Sequence, residues 1–231
     1  MIISIIGIEN KLELNSGFIS LLNIHNVILY RQIIKFLLND INDKTKNTFV
    51  ILDELERISS KELCFVNDLY NYTFDNKSLI DKIVKPYVLS LNSHITDKEN
   101  ETKLYYNLTA PLIEFINTLE VDYDIKEELD ISFYSKILGI DFSLNDSETE
   151  INKVLAIIKL ESKLLNKKIF IFNGLIRLLT KDEQKELEEY VKENSLYLLL
   201  IDYIEENVVV NMNMLYIDDD FGSYNRIYNS I

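Results

Sequence analysis

Residues 151–201 read INKVLAIIKLESKLLNKKIFIFNGLIRLLTKDEQKELEEYVKENSLYLLLI. Ile151, Val154, Leu155 and Ile158 recur at helical spacing and share one face. Just upstream, Ser147-x-x-Glu150 has the pattern of a capping box, which predicts a helix over Ile151–Leu165. Lys168–Phe172 (KIFIF) is an apolar run that stops at Asn173-Gly174, as a strand would. Thr180-x-x-Glu183 is a second capping box and opens a helix to Glu193. Tyr197–Ile201 (YLLLI) is a second continuous apolar run, ending at Asp202. Strands without polar alternation are covered on both faces, which is the condition of a parallel sheet. Helix alternating with strand supplies the crossovers such a sheet needs.

The pattern extends in both directions. Downstream, Met214–Ile217 reads as a last short strand before Asp218-Asp219-Asp220, and Gly222–Ile231 reads as a loose polar tail. Upstream, residues 2–8 and the alternating Leu12-x-Leu14 predict a β-hairpin or a pair of short strands. Phe18–Ile24 is a further apolar run. Asn26 is placed to cap a helix over Val27–Leu38. Thr48–Leu52 is a short apolar run of the kind found in parallel sheets. Leu63–Val66 fits either a strand or a buried helical turn. From Lys77 to about Gly139 the chain changes character and reads as helices. Ser78–Leu91 carries a helical stripe despite Pro86, Thr102–Leu119 should be kinked or divided at Pro111, and Lys126–Leu138 stops at Gly139. The architecture expected is an α/β head from residues 1–75 and 140–231, with residues 76–139 inserted as a helical leg lobe.

Composition narrows the function classes. The 231-residue chain has 24 Lys plus Arg against 38 Asp plus Glu, a net charge of −14. Its hydrophobic content of 47% is that of a folding chain. A single cysteine, Cys64, and two histidines, His25 and His94, exclude an intrachain disulfide and a Cys/His zinc knuckle. No apolar run approaches the roughly 20 residues of a membrane span, and the start MIISIIGIEN reads as a strand rather than a signal peptide. A soluble, cytoplasmic protein is expected. The charge opposes generic nucleic-acid affinity, so DNA could be held only by a locally positive surface or with cations masking the rest.

Few motifs carry chemistry. Phe49–Glu54 (FVILDE) has the form of a Walker B strand, and equally of any strand with an acidic end. Its necessary partner, G-x-x-x-x-G-K-[ST], is absent: none of the five glycines precedes a lysine. Residues 120–130 (EVDYDIKEELD) crowd Glu120, Asp122, Asp124, Glu127, Glu128 and Asp130 around one lysine. Such a cluster is either a solvated acidic turn opening a helix or a set of hard oxygen ligands for Ca²⁺ or Mg²⁺. Asp218-Asp219-Asp220 reads as a solvated loop, and Cys64 within LCFV as a buried apolar filler. Lysines gather in the helical lobe at Lys77, Lys82, Lys85, Lys98, Lys103 and Lys136.

Six stretches in order carry a resemblance. They are FVILDELERISSKEL (49–63), DLYNYTFDNKSLIDKIV (68–84), LEVDYD (119–124) with KILGI (136–140), KKIFIFNGL (167–175) and LTKDEQKELEEYV (179–191). In order and spacing the chain resembles the CRISPR-associated adaptation protein of type II-A systems, the ring-forming, DNA-end-binding Csn family. The resemblance implies a P-loop-like parallel-sheet head without a Walker A motif and a helical leg. It implies a homotetrameric ring whose positively lined hole admits double-stranded DNA from a free end, without sequence readout. It further implies Ca²⁺ near the head–leg junction, a role in spacer acquisition beside the adaptation integrase and the effector nuclease, and no enzymatic activity. Carried onto this sequence, Glu120, Asp122, Asp124, Glu127 and Glu128 would be metal ligands. The leg lysines Lys77, Lys82, Lys85, Lys98, Lys103 and Lys136 would meet DNA. The stretch between LEVDYD and KILGI is a few residues longer than usual for the family. Two other readings stand beside this one: a degenerate NTPase using Asp53 and Glu54, and an acidic scaffold for a basic protein.

Overall fold

The computed structural model describes residues 1–40, 48–54, 56–93, 103, 106–107, 110–111, 114, 142–144, 148–204 and 210–228. The chain divides into two compact units, residues 1–73 with 144–231 and residues 74–143.

The first unit is α/β. Strands β1 (Ile2–Ile5), β2 (Leu12–Glu13) and β3 (Phe18–Ile24) lead into helix α1 (Val27–Lys35), which continues as a π turn over Phe36–Asp40. Strands β4 (Phe49–Asp53), β5 (Glu56–Arg57) and β6 (Leu63–Val66) follow. Helix α3 (Glu150–Leu165), β7 (Ile169–Asn173), α4 (Lys181–Glu193), β8 (Tyr197–Asp202), β9 (Met212–Ile217) and β10 (Ser223–Tyr228) complete the unit. In the second unit, α2 spans Asn76–Ser93.

Six strands form the main sheet in the order β10-β9-β3-β8-β7-β6. The pairs β9–β3, β3–β8, β8–β7 and β7–β6 are parallel. The connections from β6 to β7 and from β7 to β8 carry α3 and α4, the helical crossovers that return the chain to the start of the next parallel strand. Both faces are covered, as the uninterrupted apolar runs demand. Ile169, Ile171, Leu199, Ile201, Leu215 and Ile217 turn to one face and join a core with β1, β4 and α1. Residues of the other parity, among them Phe170, Phe172, Leu198 and Leu200, are equally buried on the opposite face.

Three expectations are corrected. The run Thr48–Leu52 is not in the parallel sheet. As β4 it lies in a second sheet of order β2-β1-β4-β5 and pairs antiparallel with β1 and β5. A short buried run looks the same in either setting, so periodicity cannot separate them. The polar tail is not loose: Ser223–Tyr228 is β10, an antiparallel hairpin partner of β9. The turn that makes it possible is Asp218-Asp219-Asp220, where Asp218 Oδ1 accepts from the amides of Asp220 (3.0 Å) and Gly222 (2.6 Å). Finally, the cap of α3 is Thr149, whose hydroxyl accepts from the Asn152 amide at 3.4 Å; Ser147 lies outside the described residues. By contrast the Thr180–Glu183 capping box is present with both reciprocal bonds, and Asn26 caps α1 through the Leu29 amide at 2.8 Å.

In the second unit α2 runs through Pro86 without ending. Asp75 opens it: its Oδ2 accepts from the Ser78 hydroxyl and its Oδ1 from the Ser78 amide at 3.1 Å, and these bonds, the hydroxyl's first, hold its carboxyl below the ordinary range. Asn76 binds Phe142 in both directions, Nδ2 donating to the carbonyl (3.2 Å) and Oδ1 accepting from the amide (2.7 Å). The two ends of the unit are thereby tied together. Residues 103, 106–107, 110–111 and 114 are helical, Pro111 among them. The helix expected over Lys126–Leu138 lies outside the described residues.

Candidate functional site

A P-loop joins a strand to a helix through glycines whose amides wrap phosphate. The equivalent junction here is β3 to α1, and only His25 and Asn26 separate them. Asn26 is 7% exposed and already committed, to the Leu29 amide and, through Nδ2, to the Asp219 carbonyl at 2.6 Å. Two residues cannot form a phosphate cradle, which agrees with the missing Walker A motif. The Walker B reading of FVILDE fails on topology. Asp53 and Glu54 end an antiparallel strand of the second sheet and do not stand at the carboxyl edge of the parallel one.

The acid at that edge is Asp202, the last residue of β8 and 1% exposed. Its Oδ1 accepts from its neighbour's amide, Tyr203 N, at 2.8 Å and from Arg177 Nε at 2.8 Å. Its Oδ2 is buried with no hydrogen-bond partner among the described residues. Burial pushes the carboxyl up, against the opposing pull of the Tyr203 amide and Arg177. Arg177 reaches it from the short 3₁₀ turn Ile176–Leu178, which follows β7. The turn needs Gly174, at φ +69°, a conformation in which a side chain would be strained. A Cβ there would also stand 3.4 Å from Arg177 Nη2.

Aromatic rings flank this pair. The His25 ring lies 4.3 Å from that of Tyr203 and 4.5 Å from that of Tyr216, and Tyr216 stacks on Tyr224 at 4.7 Å. Asn23 pins the chain after β8 by donating to the Ile204 carbonyl (2.8 Å) and accepting from its amide (3.1 Å). Tyr30 of α1 donates to Asn173 Oδ1 at 2.8 Å. These contacts border a cavity of about 590 Å³ over the ends of β3 and β8. Sequence reading missed it, since Arg177 and Asp202 are 25 positions apart and belong to no motif. The only signal is that YLLLID ends on an acid.

Cys64 is a separate case. It is buried on β6, with Sγ 3.8 Å from the Tyr72 hydroxyl, which donates to Glu161 Oε1 at 2.8 Å. Burial first, and the Glu161 carboxylate second, push the thiol up to about 12. Tyr72 is raised as well, chiefly by burial. A thiol so held stays protonated at neutral pH and is a poor nucleophile. The folded chain is expected not to react with a disulfide reagent at pH 8, and to yield one thiol per chain once unfolded in guanidinium. Native reaction at the unfolded rate would contradict the packing.

The sequence-predicted ligands Glu120, Asp122, Asp124, Glu127 and Glu128 lie outside the described residues, as do Lys98, Lys136 and His94. Among the described residues no group of three or more His, Cys, Asp and Glu could hold a metal ion. Lys77, Lys82, Lys85 and Lys103 are all exposed. At about 100° per residue, the first three occupy an arc of about 140° on α2. The buried Leu79 and Val84 fall outside that arc. Lys85 approaches Asp81 of the preceding turn at 3.7 Å, a solvent-exposed pair that leaves its charge available. Among the described residues no helix is long and apolar enough to cross a membrane.

The family model described as CRISPR-associated protein (Cas_Csn2) matches residues 41–221. The chain belongs to the Cas_Csn2 family. It is similar to the CRISPR-associated protein Csn2 of Enterococcus faecalis, 26% identical over 180 residues, 76% of this chain and 78% of that one. The Csn2 protein of Streptococcus agalactiae is 24% identical over 209 residues, 87% and 88% of the two chains. Among solved structures, Stu0660 of Streptococcus thermophilus matches with a TM-score of 0.53 and 13% identity, covering 100% of this chain and 76% of that one. That likeness concerns the fold. The Cas_Csn2 match runs through both compact units, and it includes the acidic segment 119–124 and the lysines of α2.

Proposed function

We propose that this Cas_Csn2 protein is a non-enzymatic, sequence-independent binder of double-stranded DNA ends, working in CRISPR spacer acquisition as a homotetrameric ring. The observation that carries the reading is the family match across residues 41–221. In this reading residues 1–75 and 140–231 form the head and residues 76–139 the leg. The leg lysines Lys77, Lys82, Lys85, Lys98, Lys103 and Lys136 face the duplex. Glu120, Asp122, Asp124, Glu127 and Glu128 hold Ca²⁺. The chemistry of that donor set fits the ion: carboxylate oxygens are hard ligands, and clustered carboxylates repel unless a cation neutralises them. Bound cations also answer the charge problem locally. A ring answers the rest, because a closed topology retains DNA with modest contact energy from each subunit, carried by phosphate contacts. The adaptation integrase and the effector nuclease are the partners expected in the same process.

The test compares linear with covalently closed circular duplex in a gel-shift assay, with Ca²⁺ and with chelator, at low and moderate salt. Binding only to linear DNA, lost with chelator and weakened by salt, is the expected result. Equal binding to both forms would overturn end threading. No shift at low salt with Ca²⁺ would overturn DNA binding and favour an acidic scaffold.

A further inference from the structure

We infer that the cavity at the carboxyl edge of the parallel sheet binds a small phosphate monoester bearing an aromatic ring, a nucleoside monophosphate in chemical class. None of the lysines and carboxylates of the DNA reading is among the cavity's lining residues, and the inference does not rest on that reading.

The anion-binding part is a pair of arginines. Arg177 is held by its Nε bond to Asp202, a side chain wholly inside the protein, yet its own side chain is 61% exposed. That bond uses one of five guanidinium N–H groups. The terminal amino groups remain as a fork whose orientation is already set, so little further entropy is lost when they bind an oxyanion. Arg31, from the second turn of α1, lines the same cavity and is exposed, with no carboxylate partner among the described residues. Guanidinium forks match phosphate oxygens two at a time.

The rest of the lining suits the remainder of such a ligand. Ile24 and Val27 give apolar surface, and His25 and Tyr203 give rings. Tyr203 heads the His25–Tyr216–Tyr224 column and keeps 44% of its surface exposed, enough for a planar base to lie against it. Asp219 brings a carboxylate to the same lining, an acceptor for sugar hydroxyls. The volume of about 590 Å³ falls within the range of small-molecule sites. Its place beyond the carboxyl ends of β3 and β8 is where parallel sheets receive ligands.

Charge balance selects a monophosphate over a polyphosphate. Two guanidinium groups, one of them already bonded to Asp202, can match the charge of a single phosphate monoester but not that of a triphosphate. The β3–α1 junction supplies no amide cradle in its place.

The experiment is equilibrium dialysis of the full chain with adenosine monophosphate, adenosine or inorganic phosphate. Saturable binding of about one adenosine monophosphate per chain, with Kd below about 1 mM, is expected. Adenosine and phosphate alone should each bind about tenfold more weakly or worse, since each lacks one half of the contacts. Arg31→Gln and Tyr203→Ala should each weaken the nucleotide about tenfold, and both positions are exposed enough for the fold to survive. Arg177→Lys, which keeps the charge but loses the fork, should weaken it too. The triple change of Lys77, Lys82 and Lys85 to Gln should leave it untouched. Three results would overturn the inference: no saturable binding at about 10 mM, phosphate binding as tightly as the nucleotide, or binding lost in the lysine variant and kept in Arg31→Gln.

Discussion

Replacing Lys77, Lys82 and Lys85 together by Gln is expected to weaken duplex DNA binding by about a hundredfold at ~0.15 M salt, if all three meet phosphate. Each phosphate contact releases about 0.9 counterion, so three contacts contribute 3 × 0.9, or about 2.7, to the slope of log affinity against log salt. At ~0.15 M, where log salt is about −0.8, that slope amounts to about two log units for each subunit engaged. A ring in which several subunits touch the duplex would show a larger loss. The variant should fold normally. All three side chains are exposed, Gln is about as good a helix former as Lys, and the Lys85–Asp81 pair contributes little at 3.7 Å in solvent. Circular dichroism confirms the fold; a gel-shift series across salt reads the slope. Unchanged affinity with an unchanged slope would remove α2 from the DNA surface.

The second large effect is in the core. Phe170→Ala is expected to cost about 3–5 kcal/mol, the sum of lost burial and the cavity left behind. Phe170 is 0% exposed on β7, between Cys64 on β6 and Leu198 on β8. Strands on both sides hold the backbone in place, so the site cannot collapse to fill the gap. In a chain of this size the midpoint of thermal unfolding should fall by on the order of 10 °C. Phe221→Ala removes the same ring from the β9–β10 turn, where it is 47% exposed, and should cost well under ~1 kcal/mol. Urea titrations of the two variants side by side give the comparison. Equal costs would mean that the parallel strands are not packed as described.

Local patterns made much of this protein legible from its residues. The runs KIFIF and YLLLI read as strands covered on both faces, and the helical stripes beside them, one opened by the Thr180–Glu183 capping box, pointed to parallel crossovers. The absence of a Walker A motif could be read directly, and so could the change to helix near Asp75. Other features were invisible for a physical reason: they depend on which strand lies beside which. Thr48–Leu52 and Tyr197–Ile201 are both short buried apolar runs, and only hydrogen-bond partners show that one is antiparallel in a four-stranded sheet while the other sits in the parallel one. The tail Gly222–Ile231 has the composition of a loop; its residues Ser223–Tyr228 become a strand because Asp218 folds the turn that returns them to β9. Arg177 and Asp202 carry no spacing rule and meet because β7 and β8 end side by side. Helices and caps form from contacts three or four residues apart, which a sequence displays. Sheet order, edge cavities and buried ion pairs form from contacts between distant segments, and these are settled only when the crossovers close.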